Sequence, residues 1–358
     1  MKNNTRISVI IPFFNADNHI LNCIDSLKNQ SNLDGVEIIM INDGSTDQTE
    51  QKIKNCNSIK IKLIQNKKNL GPASARNLGI KAASGEYIYF FDADDELDKN
   101  TFYKFEKILI QKNYDLIFSD RKRVLNTKNL RENINEYDFD KIINDSEIID
   151  LMKKRFFNPH KAHRIFDLTG KLIKREIIIK NNIFFEDQLR YLEDECFMWR
   201  VLSNINQAKY IKEQLYTYNI RPNVSSGISD AFKNNFDLKN YQIVREQLKK
   251  SLKQKGLNEK EIYKIIDQAY IYLIIGSLIS LTRSITLKKI DEKMGVKYLK
   301  NLIKKIIKDK EIPLITNNYT PYKDENRWIP RAIRWRSSWL LEFFCKRRVE
   351  EILKKRKN

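Results

Sequence analysis

The sequence is poor in residues that mark several common protein classes: its 358 residues include 4 cysteines, 3 histidines, 10 glycines and 7 prolines. The cysteines are scattered, without a C-x-x-C pair or the spacing of a zinc site. A disulfide framework is therefore not expected, and a reducing compartment fits the pattern. Since there is no G-x-G-x-x-G motif and no Walker loop, the dinucleotide-binding and P-loop classes have no support.

Long hydrophobic runs are missing as well. The apolar run at residues 7–14 is short and contains Pro12, which does not fit a signal peptide. The longest apolar stretch, AYIYLIIGSLISL at residues 269–281, has 13 residues, whereas a helix needs roughly 20 to span a bilayer. We expect a buried core helix there, and we do not expect a polymerase with several transmembrane helices.

Positive charge, by contrast, is abundant and unevenly distributed. The net charge of the chain is +20. From residue 231 onward there are 31 Lys and Arg against 14 Asp and Glu, a net charge of +17, which leaves +3 for the first 230 residues. This asymmetry indicates a basic C-terminal region that meets an anionic partner, either nucleic acid or a lipid surface.

The first hundred residues alternate between strand and helix patterns. Apolar runs predict strands at 7–14, 36–43, 59–66 and 86–91. Helical spacing predicts helices between them, at 18–30, 45–56 and 71–84. Ser45 or Thr46 would cap the second helix, and Pro72 fits the first turn of the third. This alternation predicts an α/β fold with a parallel sheet.

A change of pattern along the chain predicts two domains. Residues 121–160 are polar and irregular, which predicts an insertion or a mobile loop. From residue 231 the pattern becomes helical and rich in lysine. We place the boundary near residue 228, which gives domains at 1–228 and 229–358.

Polar clusters follow three of the predicted strands, at the edge where open parallel sheets bind ligands. They are Asn15, then Asn42 with Asp43, and then the run from Asp92 to Asp95. The Asp-x-Asp pattern in the third cluster offers oxygen ligands to Mg²⁺ or Mn²⁺ and leaves coordination positions for substrate phosphates. The alternative for so short a motif is an exposed, solvated turn.

A second acidic group, LEDECF at residues 192–197, begins an amphipathic helix with Glu193, Asp194 and Glu195. A carboxylate there can serve as a general base, but acids also favour helix N-termini because of the helix dipole. His160 and His163 have an i,i+3 spacing that can hold a metal, yet no third ligand is evident. A loop contact to an acceptor or a phosphate fits these histidines better.

Five motifs, in this order, carry a resemblance to a known family: VIIPFFN, NDGSTD, NLGPASARNLGI, GEYIYFFDADD and YLEDECFMWRV. As a set they resemble the family 2 glycosyltransferases, which are inverting enzymes of the GT-A fold. The resemblance covers residues 5–228 and implies a Rossmann-like, mostly parallel sheet with flanking helices, followed here by a C-terminal helical domain.

The resemblance also implies an activity. It is metal-dependent transfer of a hexosyl or N-acetylhexosaminyl group from a nucleoside diphosphate-sugar, with UDP favoured. The acceptor would be a saccharide or glycolipid of a bacterial surface glycan: capsule, lipooligosaccharide or O-antigen. The alternative from another class is a non-catalytic, membrane-bound scaffold with a degenerate GT-A fold.

Roles for individual residues follow from the same resemblance. Around the nucleotide-sugar it places Pro12, Asn15, Asn42, Asp43, Gly71, Arg76, Asp92, Ala93 and Arg221. Asn42 stands where the family has the first of two acids, and its amide oxygen can still accept a hydrogen bond from a uracil ring. Arg221 would touch the leaving diphosphate.

For the chemistry, the resemblance assigns Asp94 and Asp92 to a Mn²⁺ or Mg²⁺ ion that bridges the diphosphate, with Asp95 as an accessory. It makes Asp194 the general base and Glu193 its support. Because these carboxylates are intact, they argue against the scaffold alternative.

The C-terminal segment, residues 327–358, contains three of the four tryptophans, and eleven Lys and Arg against three Glu lie within 327–357. On a helical wheel from 328 to 345, aromatic and aliphatic side chains share one broad face. This pattern predicts one amphipathic helix on an anionic membrane. The alternative is that the face packs on the preceding helices, and nucleic acid is not expected because no recognisable binding module is present. We therefore expect a cytoplasmic protein, peripheral on the inner face of the cytoplasmic membrane, of open oligomeric state.

Overall fold

The computed structural model describes residues 6–125, 128–130, 137–159, 164–189, 191–220, 238–322 and 325–355. These residues group into two compact units. Described residues of the first unit lie within 6–150, 164–187 and 193–220, and those of the second within 151–159, 188–192 and 238–355. The expected domain boundary near 228 lies outside the described residues, so it stays a proposal.

One mixed sheet forms the centre of the first unit. Its strands in the described residues are β1 (Ile7–Phe13), β2 (Val36–Asn42), β3 (Ile61–Gln65), β4 (Tyr87–Phe90), β5 (Glu96–Leu97), β6 (Leu116–Leu125), β7 (Lys128–Leu130), β8 (Lys141–Asn144), β9 (Lys171–Lys174) and β10 (Gln207–Ile220). Their order is β3-β2-β1-β4-β9-β6-β10-β5, with β7 paired to β6 and β8 to β10. Neighbours are parallel from β3 to β4 and again between β6 and β10. The antiparallel strand β9 divides these two groups.

Helices alternate with the first strands, as the sequence predicts. These are α1 (Ile20–Lys28), α2 (Thr49–Lys54) and α3 (Pro72–Ala82). Later in the chain follow α4 (Thr101–Gln111), α5 (Asp145–Lys154), α6 (Arg175–Lys180) and α7 (Glu193–Ser203). A short 3₁₀ helix spans Arg164–Phe166. The expected caps of α2 are wrong: the helix begins after Gln48 without a side-chain cap, because Ser45 and Thr46 bind the loop after β1 instead.

Helix α3 packs tightly on the sheet, and glycine makes this possible. A Cβ atom at Gly79 would lie 2.3 Å from Cγ2 of Ile10 in β1 and 3.1 Å from Cδ1 of Ile41 in β2. Any larger side chain would therefore push the helix away from the strands. Because α3 is held at this depth, Arg76, one turn before Gly79, comes to the carboxyl edge of the sheet.

The expectation of a loop over residues 121–160 is wrong for much of that range. Strand β6 continues to Leu125, β8 pairs antiparallel with β10, and α5 follows directly. Ile143 and Ile148 are fully buried, which explains why this polar-looking segment folds onto the unit. The polar residues between the buried ones hide the apolar pattern in the sequence.

The second unit is helical, as the sequence predicts. Its helices in the described residues are α8 (Leu238–Gln254), α9 (Glu259–Thr286), α10 (Glu292–Lys308), α11 (Ile312–Ile315), α12 (Trp328–Arg334) and α13 (Ser338–Lys355). Asn258 and Glu261 form a capping box that starts α9: the Asn258 side chain accepts from the Glu261 N–H at 3.0 Å.

Helix α9 contains the long apolar stretch. Among the residues that the structure describes, it is the one helix long and apolar enough to cross a membrane, with 28 residues and a mean hydropathy of 1.5 in its most apolar window. The expectation that this region is too short to span a bilayer is therefore wrong, because the helix extends well beyond the 13 apolar residues. Within the protein 72% of that window is buried, which agrees with a core helix.

The single helix predicted over 328–345 is also wrong. Helices α12 and α13 are separated by a turn in which Arg336 has a φ of 53°. Arg336, out of place on the apolar side of the wheel, donates instead from Nη1 to the Ile307 carbonyl at 3.1 Å. Two short helices with different axes therefore replace one continuous amphipathic surface.

The aliphatic and the aromatic side chains of α12 and α13 differ in their exposure to solvent. Ile329, Ile333 and Leu341 are fully buried, so the alternative of internal packing holds for the aliphatic residues. Trp335 and Trp339 are 57% and 71% exposed. The aromatic part of the predicted face therefore stays on the surface.

Candidate functional site

Asn15 ties the loops after β1 and β2 together. Its backbone N–H donates to the Ser45 hydroxyl at 3.0 Å, and its side-chain oxygen accepts from the Thr46 N–H at 2.9 Å. Asn15 has a φ of 48°, a left-handed conformation that asparagine tolerates better than most residues. At the end of β2, the buried Asn42 amide accepts from the Ser45 N–H at 2.8 Å and donates to Glu50 at 2.9 Å. Asn15 and Asn42, both expected to contact the nucleotide, thus lie at one edge of the sheet. The side-chain oxygen of Asn42 already accepts one hydrogen bond from the protein.

Asp43 is buried and anchors the segment before α3. Its carboxylate accepts from the Asn66 side chain at 2.8 Å, from the Leu70 N–H at 3.0 Å and from the Gly71 N–H at 2.7 Å. Gly71 has a φ of 95°, a conformation that favours glycine, and Pro72 then starts the helix. Asp43 therefore fixes the loop that leads into α3.

The acidic turn after β4 gathers Asp92, Asp94 and Asp95. Each can offer one carboxylate oxygen such that these atoms all lie within 4.8 Å of one another. Burial, together with the neighbouring Asp92 and Asp94, raises the pKa of Asp95 to about 8. Ala93, between the ligands, is 6% exposed. Because carboxylate oxygens are the ligands that Mg²⁺ and Mn²⁺ prefer, this donor set fits a divalent cation.

Two residues of β10 hold Asp95 in place, and neither is among the site residues expected from the sequence. The Tyr216 hydroxyl donates to its carboxylate at 2.6 Å, and the Asn219 backbone N–H donates at 2.9 Å. The Asn219 side chain also donates to the Asp94 carbonyl at 3.1 Å. The available sequence signal is the Tyr-x-Tyr-Asn alternation of 216–219, which marks a strand but does not relate it to the acidic turn.

Arg76 joins the acidic turn to the start of α7. Its Nη1 lies 2.8 Å from the Asp194 carboxylate and 3.4 Å from the Glu193 carboxylate, while Nη2 lies 3.2 Å from Asp92. Arg76 itself is 6% exposed. Burial opposes its charge, but the three carboxylates outweigh burial and raise its pKa above the ordinary value. One guanidinium therefore connects two acidic motifs that are far apart in the sequence, Asp92–Asp95 and Glu193–Glu195.

Asp194 combines access to solvent with a raised pKa. Its side chain is 42% exposed, although protein groups surround the carboxylate. The pKa of Asp194 is raised to about 8: the surrounding protein groups raise it most, Glu193 and Asp92 raise it as well, and Arg76 lowers it. Glu195, by contrast, accepts a hydrogen bond from the Trp199 indole at 2.9 Å. Asp194 is thus the carboxylate of this motif that is both reachable and basic enough to take a proton.

The remaining expected residues lie elsewhere. Pro12 lies inside β1, opposite Ile41 of β2, rather than in the loop that follows. Cys196, which follows Glu195 in α7, is buried. Arg221, His160 and His163 lie outside the described residues.

The model of glycosyl transferase family 2 matches the chain over residues 8–181. This segment contains β1 to β4, the acidic turn and Arg76. Residues 8–181 belong to glycosyl transferase family 2. The family 2 segment includes four of the five motifs on which the resemblance rests, and the Glu193–Asp194 motif follows it.

Curated relatives cover a similar part of the chain. EpsJ of Bacillus subtilis (strain 168), an uncharacterized glycosyltransferase, is 29% identical over 226 residues, which are 61% of this chain and 62% of EpsJ. TarS of Staphylococcus aureus, a poly(ribitol-phosphate) beta-N-acetylglucosaminyltransferase, is 27% identical over 217 residues, which are 60% of this chain and 35% of TarS. The chain therefore spans less than two thirds of the length of these relatives.

Solved structures extend the similarity of fold to nearly the whole chain. The structure of S. aureus TarS 1–349 in complex with UDP-GlcNAc matches with a TM-score of 0.66 at 20% identity, covering 98% of this chain and 92% of that one. The structure of the same protein in complex with UDP matches with a TM-score of 0.65 at 19% identity. The expected GT-A α/β fold with a helical C-terminal region is thereby confirmed.

Proposed function

We propose that this protein is an inverting glycosyltransferase that moves a sugar from a nucleoside diphosphate-sugar to a saccharide hydroxyl. The observation that carries the proposal is Arg76, whose guanidinium joins Asp194 to Asp92 at the carboxyl edge of a family 2 sheet. Inverting transfer needs a base near the acceptor and a diphosphate site on the other side of the sugar, and an ion-pair network that joins Asp194 to Asp92 supports this assignment.

Asp194 takes the proton of the acceptor hydroxyl as that oxygen attacks the anomeric carbon. Its carboxylate lies 2.8 Å from Arg76 Nη1, which also lies 3.4 Å from the carboxylate of Glu193. Its raised pKa makes it a stronger base than an ordinary aspartate. After transfer, Asp194 holds that proton until solvent removes it.

Asp92, Asp94 and Asp95 would hold a Mn²⁺ or Mg²⁺ ion. When bound, such an ion supplies positive charge to the departing diphosphate. Tyr216 and Asn219 orient Asp95 for this purpose. The cost of gathering three acids in one turn, with Asp95 buried, supports this role, because a cation would offset their repulsion.

The donor we propose is a UDP-linked hexose or N-acetylhexosamine. Asn15, Asn42, Asp43 and Gly71 lie at the ends of β1 and β2 and at the start of α3, where an open α/β sheet binds a nucleotide. The TarS structures with UDP and UDP-GlcNAc, which share the fold, support this choice.

The acceptor we propose is a saccharide or glycolipid of a bacterial surface glycan, reached at the inner face of the cytoplasmic membrane. The second unit supports this location with exposed aromatic rings on α12 and α13. Trp328 stacks on Phe344 at 5.7 Å between ring centres, and Trp339 stacks on Phe343 at 5.7 Å. The Arg331 guanidinium lies 4.6 Å from the Trp328 ring. Aromatic rings beside cationic side chains fit the interface of an anionic membrane.

The test is a panel of nucleotide sugars incubated with the full chain and Mn²⁺ or Mg²⁺. We expect one UDP-sugar to release UDP, slowly with water and faster with an added saccharide acceptor, and NMR of the product to show an inverted anomeric configuration. Asp194→Asn should lose this turnover while still binding UDP. If no nucleotide sugar is consumed or stabilises the protein against heat, the scaffold alternative replaces the proposal.

A further inference from the structure

The guanidinium of Arg76 has an aromatic neighbour that the proposed function does not use. Its N–H groups reach the carboxylates of Asp92, Glu193 and Asp194. The guanidinium carbon lies 5.5 Å from the centre of the Phe185 ring, and this ring is 3% exposed. Because an aromatic face attracts a cation without using its N–H donors, Phe185 can hold Arg76 while the carboxylates stay bound.

Hydrogen bonds fix only one end of this guanidinium. Among the residues that the structure describes, the buried Nε atom of Arg76 has no hydrogen-bond partner, and Nη1 and Nη2 donate to the acids. Packing must therefore set how far the group reaches toward Asp194 and Asp92. Since the Phe185 ring lies against the guanidinium, the position of the two Nη atoms depends on where this ring is held.

Phe185 packs against the rings of two other elements. It stacks on Phe197 of α7, with 4.1 Å between the ring centres and 4° between the planes. Both rings meet Phe90 of β4 edge to face, at 5.4 Å and 5.5 Å between centres. We call Phe90, Phe185 and Phe197 the aromatic triad, and all three are buried. The triad links the strand that ends before the acidic turn to the helix that carries Asp194.

The side chain of Asn77 fixes the backbone of Phe185. Its oxygen accepts from the Phe185 N–H at 2.8 Å, and its Nδ2 donates to the Phe185 carbonyl at 2.9 Å. The same Nδ2 donates to the Asp187 carboxylate at 3.1 Å. Asn77 follows Arg76 in α3 and is 9% exposed. One amide therefore satisfies both backbone groups of Phe185, which neither an aliphatic side chain nor a carboxylate could do.

Helix α7 holds the same segment through Arg200. Its Nη1 donates to the Phe184 carbonyl at 2.8 Å and lies 3.7 Å from the Glu186 carboxylate. Residues 184–187 are therefore bound both to α3, through Asn77, and to α7, through Arg200. These are the two helices that carry the guanidinium and the carboxylate of the ion pair between Arg76 and Asp194.

We propose that Phe185 and Asn77 are positioning residues: Asn77 fixes the backbone of Phe185, and the Phe185 ring holds the Arg76 guanidinium between Asp194 and Asp92. This inference rests on the proposed function, because it matters for turnover only if Asp194 is the base. Phe185 acts through Arg76 and not on the substrate. Its loss should therefore lower kcat more than it changes donor binding.

The test is a double-mutant cycle in the full chain, with Mn²⁺ and the nucleotide sugar that the wild type turns over. Phe185→Leu keeps a large apolar side chain but removes the aromatic face. We expect kcat near pH 7 to fall roughly three- to tenfold, with KM for the nucleotide sugar and the Kd of UDP within about twofold of the wild type. In an Arg76→Gln background, Phe185→Leu should lower kcat no further, because the ring acts through the guanidinium.

Phe118→Leu is the matched control. Phe118 is a fully buried ring of β6 that also has a cation near its face, the Lys171 ammonium at 5.7 Å. This variant should lose stability as Phe185→Leu does but keep the kcat of the wild type. Asn77→Ala should lower kcat like Phe185→Leu. If Phe185→Leu does not fold at the assay temperature, Phe185→Met replaces it in the cycle.

Three results would overturn the proposal. The first is an equal fall of kcat in Phe118→Leu, which would mean that lost stability lowers turnover. The second is an undiminished effect of Phe185→Leu in the Arg76→Gln background. The third is a rise of KM with kcat unchanged, which would make Phe185 part of the donor site.

Failure of the proposed function gives a different result. If the wild type turns over no nucleotide sugar, the proposed function is wrong, and the same cycle is measured by unfolding in denaturant. Coupling of about threefold or more in the unfolding equilibrium constant would show that Phe185 holds Arg76. Additive effects of Phe185→Leu and Arg76→Gln on unfolding would overturn that contact as well.

Discussion

The guanidinium of Arg76 and the carboxylate of Asp194 form an ion pair of 2.8 Å at the carboxyl edge of the sheet. Arg76 opposes the rise in the pKa of Asp194, which is otherwise driven by burial and by neighbouring acids. Removing the guanidinium should therefore raise this pKa above about 8. The base would then be protonated over more of the neutral range.

Arg76→Gln tests this relationship. Because the base works only when deprotonated, we expect kcat near pH 7 to fall roughly tenfold or more and to recover partly as the pH rises. The acid limb of the pH–rate profile should move to higher pH. Lys81→Gln, an exposed position on the same helix, is the control. A drop of the same size at every pH would mean that Arg76 only supports the structure.

Asp194→Asn keeps the shape of the side chain and its hydrogen bonds but cannot take a proton. We expect kcat to fall ~10²–10⁴-fold while the Kd for UDP changes little. Glu195→Gln on the same helix is the matched control, because its amide oxygen can still accept from Trp199. Loss of UDP binding in Asp194→Asn would instead make Asp194 a binding residue.

Asp94→Ala should abolish turnover that depends on Mn²⁺ or Mg²⁺ without changing the melting temperature by more than a few degrees. Asp94 is one of the three acids whose oxygens come within 4.8 Å, and its loss leaves too few ligands for a cation. Asp25→Ala, at an exposed ion pair on α1, controls for loss of one surface acid. Full activity of the wild type in a chelator would remove the metal from the mechanism.

Glu325 predicts a pH dependence of stability in the second unit. Burial raises its pKa to about 7, although the Tyr319 hydroxyl, which donates at 2.7 Å, and Arg348 oppose this shift. Between its ordinary pKa of 4.5 and about 7, the unfolded chain loses this proton before the folded chain does. The free energy of unfolding should therefore decrease by about 3 kcal/mol as the pH rises through that window.

Glu325→Gln keeps an acceptor for Tyr319 and removes the titration. In denaturant unfolding at pH 4.5 and pH 8, we expect it to match the wild type at the lower pH and to be more stable at the higher one. Glu350→Gln, an exposed acid on α13, should follow the wild type at both. If the free energy of unfolding changes equally between the two pH values in Glu325→Gln and in the wild type, Glu325 is charged in the folded protein.

The exposed tryptophans predict how the protein binds vesicles. Charge attraction is screened by salt, whereas burial of aromatic rings is not. Binding should require anionic lipid, weaken at high salt, and weaken further in Trp335→Ala/Trp339→Ala. Since both rings are more than half exposed, this variant should fold normally. Leu314→Ala, at a 65% exposed apolar position, is the control. If the wild type does not bind anionic vesicles at low salt, the membrane proposal is wrong.

Local patterns in the sequence determined the first four strands and the helices between them. Strands such as β1 and β2 are continuous apolar runs because both faces of a parallel sheet are covered, and this signal needs no knowledge of distant residues. The acidic turn and the Glu193–Asp194 motif are also local. Their order and spacing were enough to identify the family and to name the residues that now surround Arg76.

Tertiary structure decided which distant residues meet. Tyr216 and Asn219 hold Asp95 because β10 pairs with β5, which directly follows the acidic turn. Arg121 and Arg123 lie against the ring of Tyr218 because β10 pairs with β6 in a register that no sequence spacing encodes. Such pairings depend on where β9 inserts between β4 and β6. The sequence therefore predicts the residues of the acidic turn and of α7 better than the β10 residues that hold Asp95.

The C-terminal helices α12 and α13 also show what periodicity in the sequence cannot predict. A helical wheel assumes one continuous axis, but the turn at Arg336 redirects the chain, and burial then sorts the apolar residues. Ile329, Ile333 and Leu341 pack inside, while Trp335 and Trp339 remain in solvent. Periodicity alone determined that this segment is amphipathic. Which apolar side chains became core was decided by packing, because only packing removes them from water.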